Sequence, residues 1–293
     1  MDVLVFQILN AVYYASVLFL IAAGLSLIYG VMGIVNMAHG SLFALGAFVT
    51  ATITQYAAGH VPTLLLFLLL PLGAVAVGIL GLAIEPLLLR RLYVRAAEEY
   101  PLLITFGLLL ILEDAMRFVW GSNPISANLL VQYLGSVSIF GSLYPIYVLF
   151  VIAVAIVTGL ALWLFVYRTK FGIILRATAQ DMKMASGLGL DVRRVYMLAF
   201  AGGCFLVALA GAVVVPYQAA VLGMGMDALI LAFVVVVIGG LGSLKGALVG
   251  ALIVGGVRTV GIEFFPELEL ASLYIIAAAV LLVRPTGLFG TKS

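Results

Sequence analysis

Apolar runs close to the thickness of a bilayer dominate the sequence: Val5–Tyr29, Gly40–Tyr56, Pro62–Ile84, Leu102–Trp120, Pro145–Tyr167 and Val195–Tyr217. Crossing the hydrocarbon core takes about 20 residues of helix, and Gly40–Tyr56 falls short of that. In lipid, only a helix or a closed barrel pairs all of its backbone groups internally. A soluble domain carries about 25% charged residues, whereas this chain has 9% charged and 66% hydrophobic. Such runs cannot all be covered against water. The fold class is therefore all-α, a polytopic membrane protein forming one transmembrane domain over residues 1–293.

Past Tyr217 the pattern changes. Ala228–Ile238, Gly246–Val257 and Leu270–Val283 are each too short to span alone, and G-G-L-G-S-L-K-G separates the first two. The stretch Ala228–Val257 is either one long broken helix or a pair of half-spans meeting at a glycine turn. The total comes to about eight to nine transmembrane segments, broken or half-spanning helices among them.

Basic residues set the orientation, because Lys and Arg accumulate in cytoplasmic loops. Arg90, Arg91 and Arg95 follow the third run; Arg168, Lys170, Arg176, Lys183, Arg193 and Arg194 lie between the fifth and sixth; Arg284 and Lys292 close the chain. Gly121–Tyr144 and Gln218–Asp227 hold no Lys or Arg, and Gly261–Glu269 carries Glu263, Glu267 and Glu269 instead. Alternation then puts the N-terminus outside and residues 168–194 inside. An inner C-terminus requires Ala228–Val257 to go in and come back, which favours the half-span pair. The start M-D-V-L lacks a basic segment, so Val5–Tyr29 reads as a retained span rather than a cleaved signal.

Several function classes drop out. A net charge of +2 argues against a nucleic-acid partner. Cys204 is the single cysteine, and His39 and His60 have no second ligand at metal spacing, so no metal site is expected. No hydrolase, zinc-protease or phosphate-loop motif occurs, and the chain calls for no cofactor. If ATP drives transport, another chain binds it.

Arg176–Asp191, R-A-T-A-Q-D-M-K-M-A-S-G-L-G-L-D, is the longest polar interval. At helical spacing Arg176, Gln180 and Lys183 share a stripe. Ala177, Met184 and Leu188 lie on an apolar flank, with Met182 and Ala185 beside them. Thr178 and Asp181 form a weak capping-box pattern, and Gly187 and Gly189 supply a helix stop. A short amphipathic helix is expected between two spans. Two readings are open: a helix resting in the headgroup layer, or a docking helix for a soluble partner.

Asn36, His39 and Ser41 crowd a break between apolar runs. Polar groups there are costly unless they face protein, water or a substrate, so the segment is a candidate path lining. Each side chain taken singly also fits a tight turn. Gly40-Ser41-Leu42 is echoed by Gly242-Ser243-Leu244 after another glycine break, and interrupted helices often flank a transport path. Gly240 and Gly242 join the candidate path on that ground. Glu113 and Arg117, four apart, can pair on one helix face. Such a pair would be neutralised near the outer headgroups, whereas Glu113 and Asp114 as free carboxylates are the best support for an alternative class, an ion-coupled secondary carrier or channel. Glu85 before Pro86 reads as a helix end.

Three segments together resemble the membrane subunits of branched-chain amino-acid ABC importers, the Liv-type permeases. They are G-L-S-L-I-Y-G-V-M-G-I-V-N-M-A-H-G-S-L-F-A-L-G-A (Gly24–Ala47), R-A-T-A-Q-D-M-K-M-A-S-G-L-G-L-D-V (Arg176–Val192) with F-A-G-G-C-F-L-V-A-L-A-G after it, and V-I-G-G-L-G-S-L-K-G-A-L-V-G-A (Val237–Ala251). The second is similar to the family's cytoplasmic coupling motif, with Ala185 and Gly189 four apart. The resemblance spans nearly the whole chain and is nearest to the LivH-like type. The chain departs from it at Ser41 and Ser186, where the family often has an acidic or larger residue. It implies an ABC importer with two cytoplasmic ATPase subunits, a second permease subunit (a different chain) and a periplasmic or lipid-anchored substrate-binding protein. The setting would be a bacterial or archaeal plasma membrane. Arg176, Met182, Ala185, Gly187 and Gly189 would then be coupling residues. Relatives for urea and short amides leave the cargo open.

The charge pattern generates a topology prediction. Lys183→Cys should be labelled by an impermeant maleimide only from the cytoplasmic face, and Glu267→Cys only from outside. Labelling of Lys183→Cys in intact cells would reverse the assigned orientation.

Overall fold

The computed structural model describes residues 2–90, 99–139, 141–264 and 266–290. Arg91, Arg95 and Lys292, counted above among the inner basic residues, lie outside them. The described residues form α1 (Asp2–Met32), α2 (His39–Ala57), α3 (Thr63–Ile84), α4 (Glu99–Trp120), α5 (Leu129–Leu134), a hairpin of β1 (Ser136–Ile139) and β2 (Ser142–Pro145), α6 (Ile146–Arg168), α7 (Lys170–Gln180), α8 (Met182–Gly187), α9 (Val192–Val214), α10 (Met224–Gly239), α11 (Leu244–Phe264) and α12 (Glu269–Val283). Helices α1, α3, α6, α9 and α11 are long and apolar enough to cross a membrane; α10 and α12 are shorter apolar helices.

Helix α9 is the hub. Its small residues let three neighbours close in: Gly203 lies against Gly24 of α1, Ala208 against Gly46 of α2, and Ala201 and Cys204 against Gly81 of α3. Helices in lipid gain nothing from burying one another's apolar faces. Close dispersive contact between small residues holds them instead. Gly255 of α11 likewise meets Ala11 and Ala15 of α1, with the two helices antiparallel. The buried core runs through α1, α2, α9 and α10, while α6 leaves most of its surface exposed.

The stretch Ala228–Val257 is a hairpin and not one broken helix. Gly239 packs on Gly246 and Gly250 on Val235, so α10 and α11 run antiparallel. The half-span reading needs correction for the second member. Helix α11 has 21 residues, roughly 31 Å at 1.5 Å per residue, a full crossing. Arg258 and Glu263 break its apolar run in the sequence, but Arg258 lies over the Tyr14 ring (4.8 Å) and the helix continues past it. Helix α10, with 16 residues, does remain short.

Two other local expectations change. Helix α3 does not stop at Glu85. It passes into a π-helical turn, Glu85–Leu89, in which the Arg90 N–H donates to the Glu85 carbonyl at 2.8 Å. Proline at 86 lacks an N–H, and widening the turn relieves its clash with the preceding one. The Glu85 carboxylate is fully buried and pairs with Arg90 at 2.9 Å. Arg117 reaches Asp114 (3.8 Å) rather than Glu113, and both partners are exposed, so this pair contributes little.

One end of the bundle gathers β1–β2, the Ile125–Ala220 bridge and the Tyr144–Asn10 hydrogen bond. The other gathers Arg90, α7, α8, the α10–α11 turn and the C-terminal segment. The basic residues assign this second end to the cytoplasmic side.

Candidate translocation and coupling site

After Met32 the chain turns back into the bundle. His39, which opens α2, sits beside Ile21, about eleven residues or roughly 16 Å back from the end of α1. Non-helical backbone at this depth must find partners within the protein. The side chain of Asn36 accepts from the Ala38 N–H (3.1 Å), and the Thr105 hydroxyl of α4 accepts from the Met37 N–H (3.1 Å). The His39 Nε2 is 2.9 Å from the Ile21 carbonyl, which requires that this nitrogen carry the proton. Ser41 donates to the Leu109 carbonyl at 3.3 Å. Asn36 and His39 are completely buried and Ser41 nearly so.

Helix α10 also begins inside the fold. Gly225 rests directly on Gly40, and a Cβ on either would collide with the other's carbonyl. A small cleft at this junction is lined by Ser41, Glu113, Met116 and Gly223. Thus two helix starts, of α2 and α10, meet in the interior beside the Glu113 carboxylate of α4.

At the inner end Gly240 (φ 105°) and Gly242 (φ 76°) make the tight turn between α10 and α11. Gly242 lies against Gly30, and Gly240 against Phe289 and Gly290 of the C-terminal segment. That segment pairs with the end of α10: Leu288 N–H donates to the Ile238 carbonyl and Phe289 N–H to that of Gly239, both at 2.9 Å. Between this turn, the end of α1 and α7–α8 lies a cavity of about 590 Å³, bordered by Gly30, Thr178, Met182, Tyr196 and Gly242.

The family description "Branched-chain amino acid transport system / permease component" matches residues 7–283. The chain belongs to this permease family. It is 30% identical to the high-affinity branched-chain amino acid transport permease BraD of Pseudomonas aeruginosa, over 97% of this chain and 95% of that one. It is 29% identical to LivH of Escherichia coli K12 (97% and 94%) and 28% identical to the galactofuranose transporter permease YtfT of the same organism (90% and 75%). No solved structure matches the chain significantly.

In this permease the polar interval forms two helices rather than one. Asp181 breaks it, acting as N-cap of α8 by accepting from the Met184 N–H (2.9 Å). The Thr178–Asp181 capping box is therefore absent. Arg176 and Gln180 end one helix while Lys183 belongs to the next, so the stripe is not continuous. Arg176 bonds the Val166 carbonyl and stacks on Tyr167 (5.1 Å), which ties α7 back to α6. Met182 accepts from the Tyr196 hydroxyl at 3.1 Å. Ala185 turns inward and is buried, so it does not belong to the free apolar face with Met184 and Leu188, which are 66% and 77% exposed. Gly187 ends α8, and Gly189 (φ 81°) turns the chain toward α9.

The echoed Gly-Ser-Leu triplets both lie at helix starts, yet their serines differ in role. Ser41 ties α2 to α4, whereas Ser243 caps α11 by accepting from the Gly246 N–H (3.0 Å). Thr105 and the C-terminal segment were not singled out in the sequence. The signal for Thr105 was present, as a lone hydroxyl within Leu102–Leu112. Gly240→Leu should leave membrane insertion intact but lower transport at least tenfold, because the new side chain collides with Gly290 and needs a backbone angle that leucine avoids. Transport per inserted molecule equal to the parent would remove this turn from the working parts.

Proposed function

We propose that this permease is the membrane subunit of an ABC importer for branched-chain amino acids, driven by ATPases on separate chains. The carrying observation is the α7–α8 element at the basic end. It presents Met184 and Leu188 outward while its inner side grips the bundle through Arg176 and Met182. An apolar helix face on a rigid mount suits a groove on a soluble partner. The names of BraD and LivH, similar over almost the whole chain, support branched-chain amino acids as cargo over the sugar named for YtfT.

The rest of the assembly follows from this reading. A second permease subunit, a different chain, completes the path, and a periplasmic or lipid-anchored binding protein delivers the amino acid. The membrane is the plasma membrane of a bacterium or archaeon. Motion of the ATPases enters at α8 and passes through the Met182–Tyr196 contact to α9. The adjoining cavity leads to the α10–α11 turn, and that helix pair leads to the interior junction of Gly40 with Gly225. Asn36, His39 and Ser41 act as the frame of that junction, which a shift of α10 would open or close.

Leu188→Glu adds a carboxylate to an exposed face, so it leaves the fold alone and acts on the contact. Burying that unpaired charge against a partner costs several kcal/mol, and at least a roughly tenfold loss of ATPase association is expected. Gly189→Leu should act in the same direction by strain at its left-handed angle. Co-purification of the ATPases and substrate-stimulated ATP hydrolysis measure both. Unchanged values for the two variants would reduce α8 to a membrane-surface element.

A further inference from the structure

A groove of about 640 Å³ lies on the outside of the bundle where α1, α6 and α11 meet. It runs from Tyr167 and Lys245 at the cytoplasmic end to Ile152, about 15 residues or roughly 22 Å along α6. Gly159 leaves room at its floor for the Phe19 ring. Trp163 and Leu248 form its walls and are 42% and 48% exposed, so the groove opens on the outer surface of this chain's bundle. Apart from its ends it is lined almost entirely by carbon.

The cytoplasmic end is different. Lys245 lies in the groove itself, in the first turn of α11. Arg168 stacks over Trp163 at 5.8 Å, and Arg176 over Tyr167 at 5.1 Å. Among the described residues neither Lys245 nor Arg168 has a carboxylate within ion-pair distance. The segments 3–84, 145–180 and 228–262, which supply every residue lining the groove, have no Asp or Glu; Asp2 of α1 and Glu263 of α11 lie at the ends of those helices away from its cytoplasmic mouth. Cations beside interfacial Trp and Tyr, at the mouth of an apolar slot, match one chemistry: a fatty chain ending in an anionic headgroup.

We propose that this groove holds an acyl chain of an inner-leaflet anionic phospholipid, with the headgroup phosphate at Lys245 and Arg168. The groove reaches past one leaflet's share of the hydrocarbon core, about 15 Å, so a full acyl chain fits along it. A bound lipid here bridges α6, which mounts the α7–α8 element, and α11, which carries the glycine turn. It would therefore stiffen two helices that both pack on α1.

The chain's two tryptophans make the test direct. Trp120 donates to Thr52 at 2.7 Å near the outer end, far from the groove. Trp120→Phe keeps a ring against Phe48 and leaves Trp163 as the single reporter. The purified full chain is placed in phosphatidylcholine bilayers containing phosphatidylglycerol or phosphatidylcholine brominated on the acyl chains, and quenching is followed against mole fraction. Half-quenching by brominated phosphatidylglycerol is expected at about fivefold lower mole fraction, the preference that roughly one basic contact supplies. Lys245→Gln should remove most of that preference and Lys245→Arg should keep it. The chain with both tryptophans should give the same order at smaller amplitude. Equal quenching by the two lipids, a preference unchanged by Lys245→Gln, or the same preference at Trp120 in Trp163→Phe would each overturn the site. Absence of quenching by either lipid would also overturn it, showing the groove covered by protein such as a second permease chain.

Discussion

Every backbone N–H and C=O within a bilayer needs a partner from the protein, and the architecture depends on how that need is met between Met32 and His39. Residues 33–38 are not helical, yet His39 lies beside the middle of α1. A break at that depth survives because Asn36, Thr105 and the Ile21 carbonyl supply hydrogen bonds, and because α1, α2, α4 and α10 exclude lipid from it. The small residues of α9 make that enclosure possible. With larger side chains at Gly203 or Ala208, α1 and α2 would stand further from α9, and the break would meet hydrocarbon with its polar groups unpaired.

The same economy of side chains joins the interior to the cytoplasmic end. Helix α10 begins against Gly40 and ends at the Gly240 turn, which rests on Gly290; the α11 side of that turn rests on Gly30. Backbone-to-backbone contacts of this kind have no flexible side chain to absorb a displacement. On the proposed coupling route, a push at the inner turn would travel along α10 to its start. The C-terminal segment adds two backbone hydrogen bonds at the end of α10, which tie it to that helix. The cavity between the turn and α7–α8 leaves room for relative movement within this chain of contacts.

Much of this was legible in the sequence, for a reason that also explains the misses. Apolar runs mark segments that leave water, glycines with polar flanks mark turns, and Lys and Arg mark the inner side; these features located α1, α3, α6, α9 and the α10–α11 turn. In a membrane protein, however, an apolar side chain has three possible neighbours: lipid, its own chain and a partner. Periodicity does not separate them, and so Ala185 read as part of a docking face although it packs inward. Asp181 looked like the end of a capping box and is itself a cap. Helix α11 looked short because Arg258 interrupts its run; the aromatic surface that receives the arginine, Tyr14, is 244 positions earlier in the chain. His39 read as a path residue or a turn residue, and its partner, Ile21, is a backbone carbonyl that no side-chain pattern can reveal.

The central claim is that this chain forms a path opened by ATP hydrolysis on other subunits. The most direct measurement is uptake of labelled leucine into proteoliposomes holding this permease, its partner permease and the two ATPases, with the binding protein on the substrate side. The account predicts accumulation that requires ATP on the ATPase side and persists when ionophores collapse proton and sodium gradients. Uptake by this chain alone, or uptake that ionophores abolish while ATP remains, would contradict it and favour an ion-coupled carrier or channel.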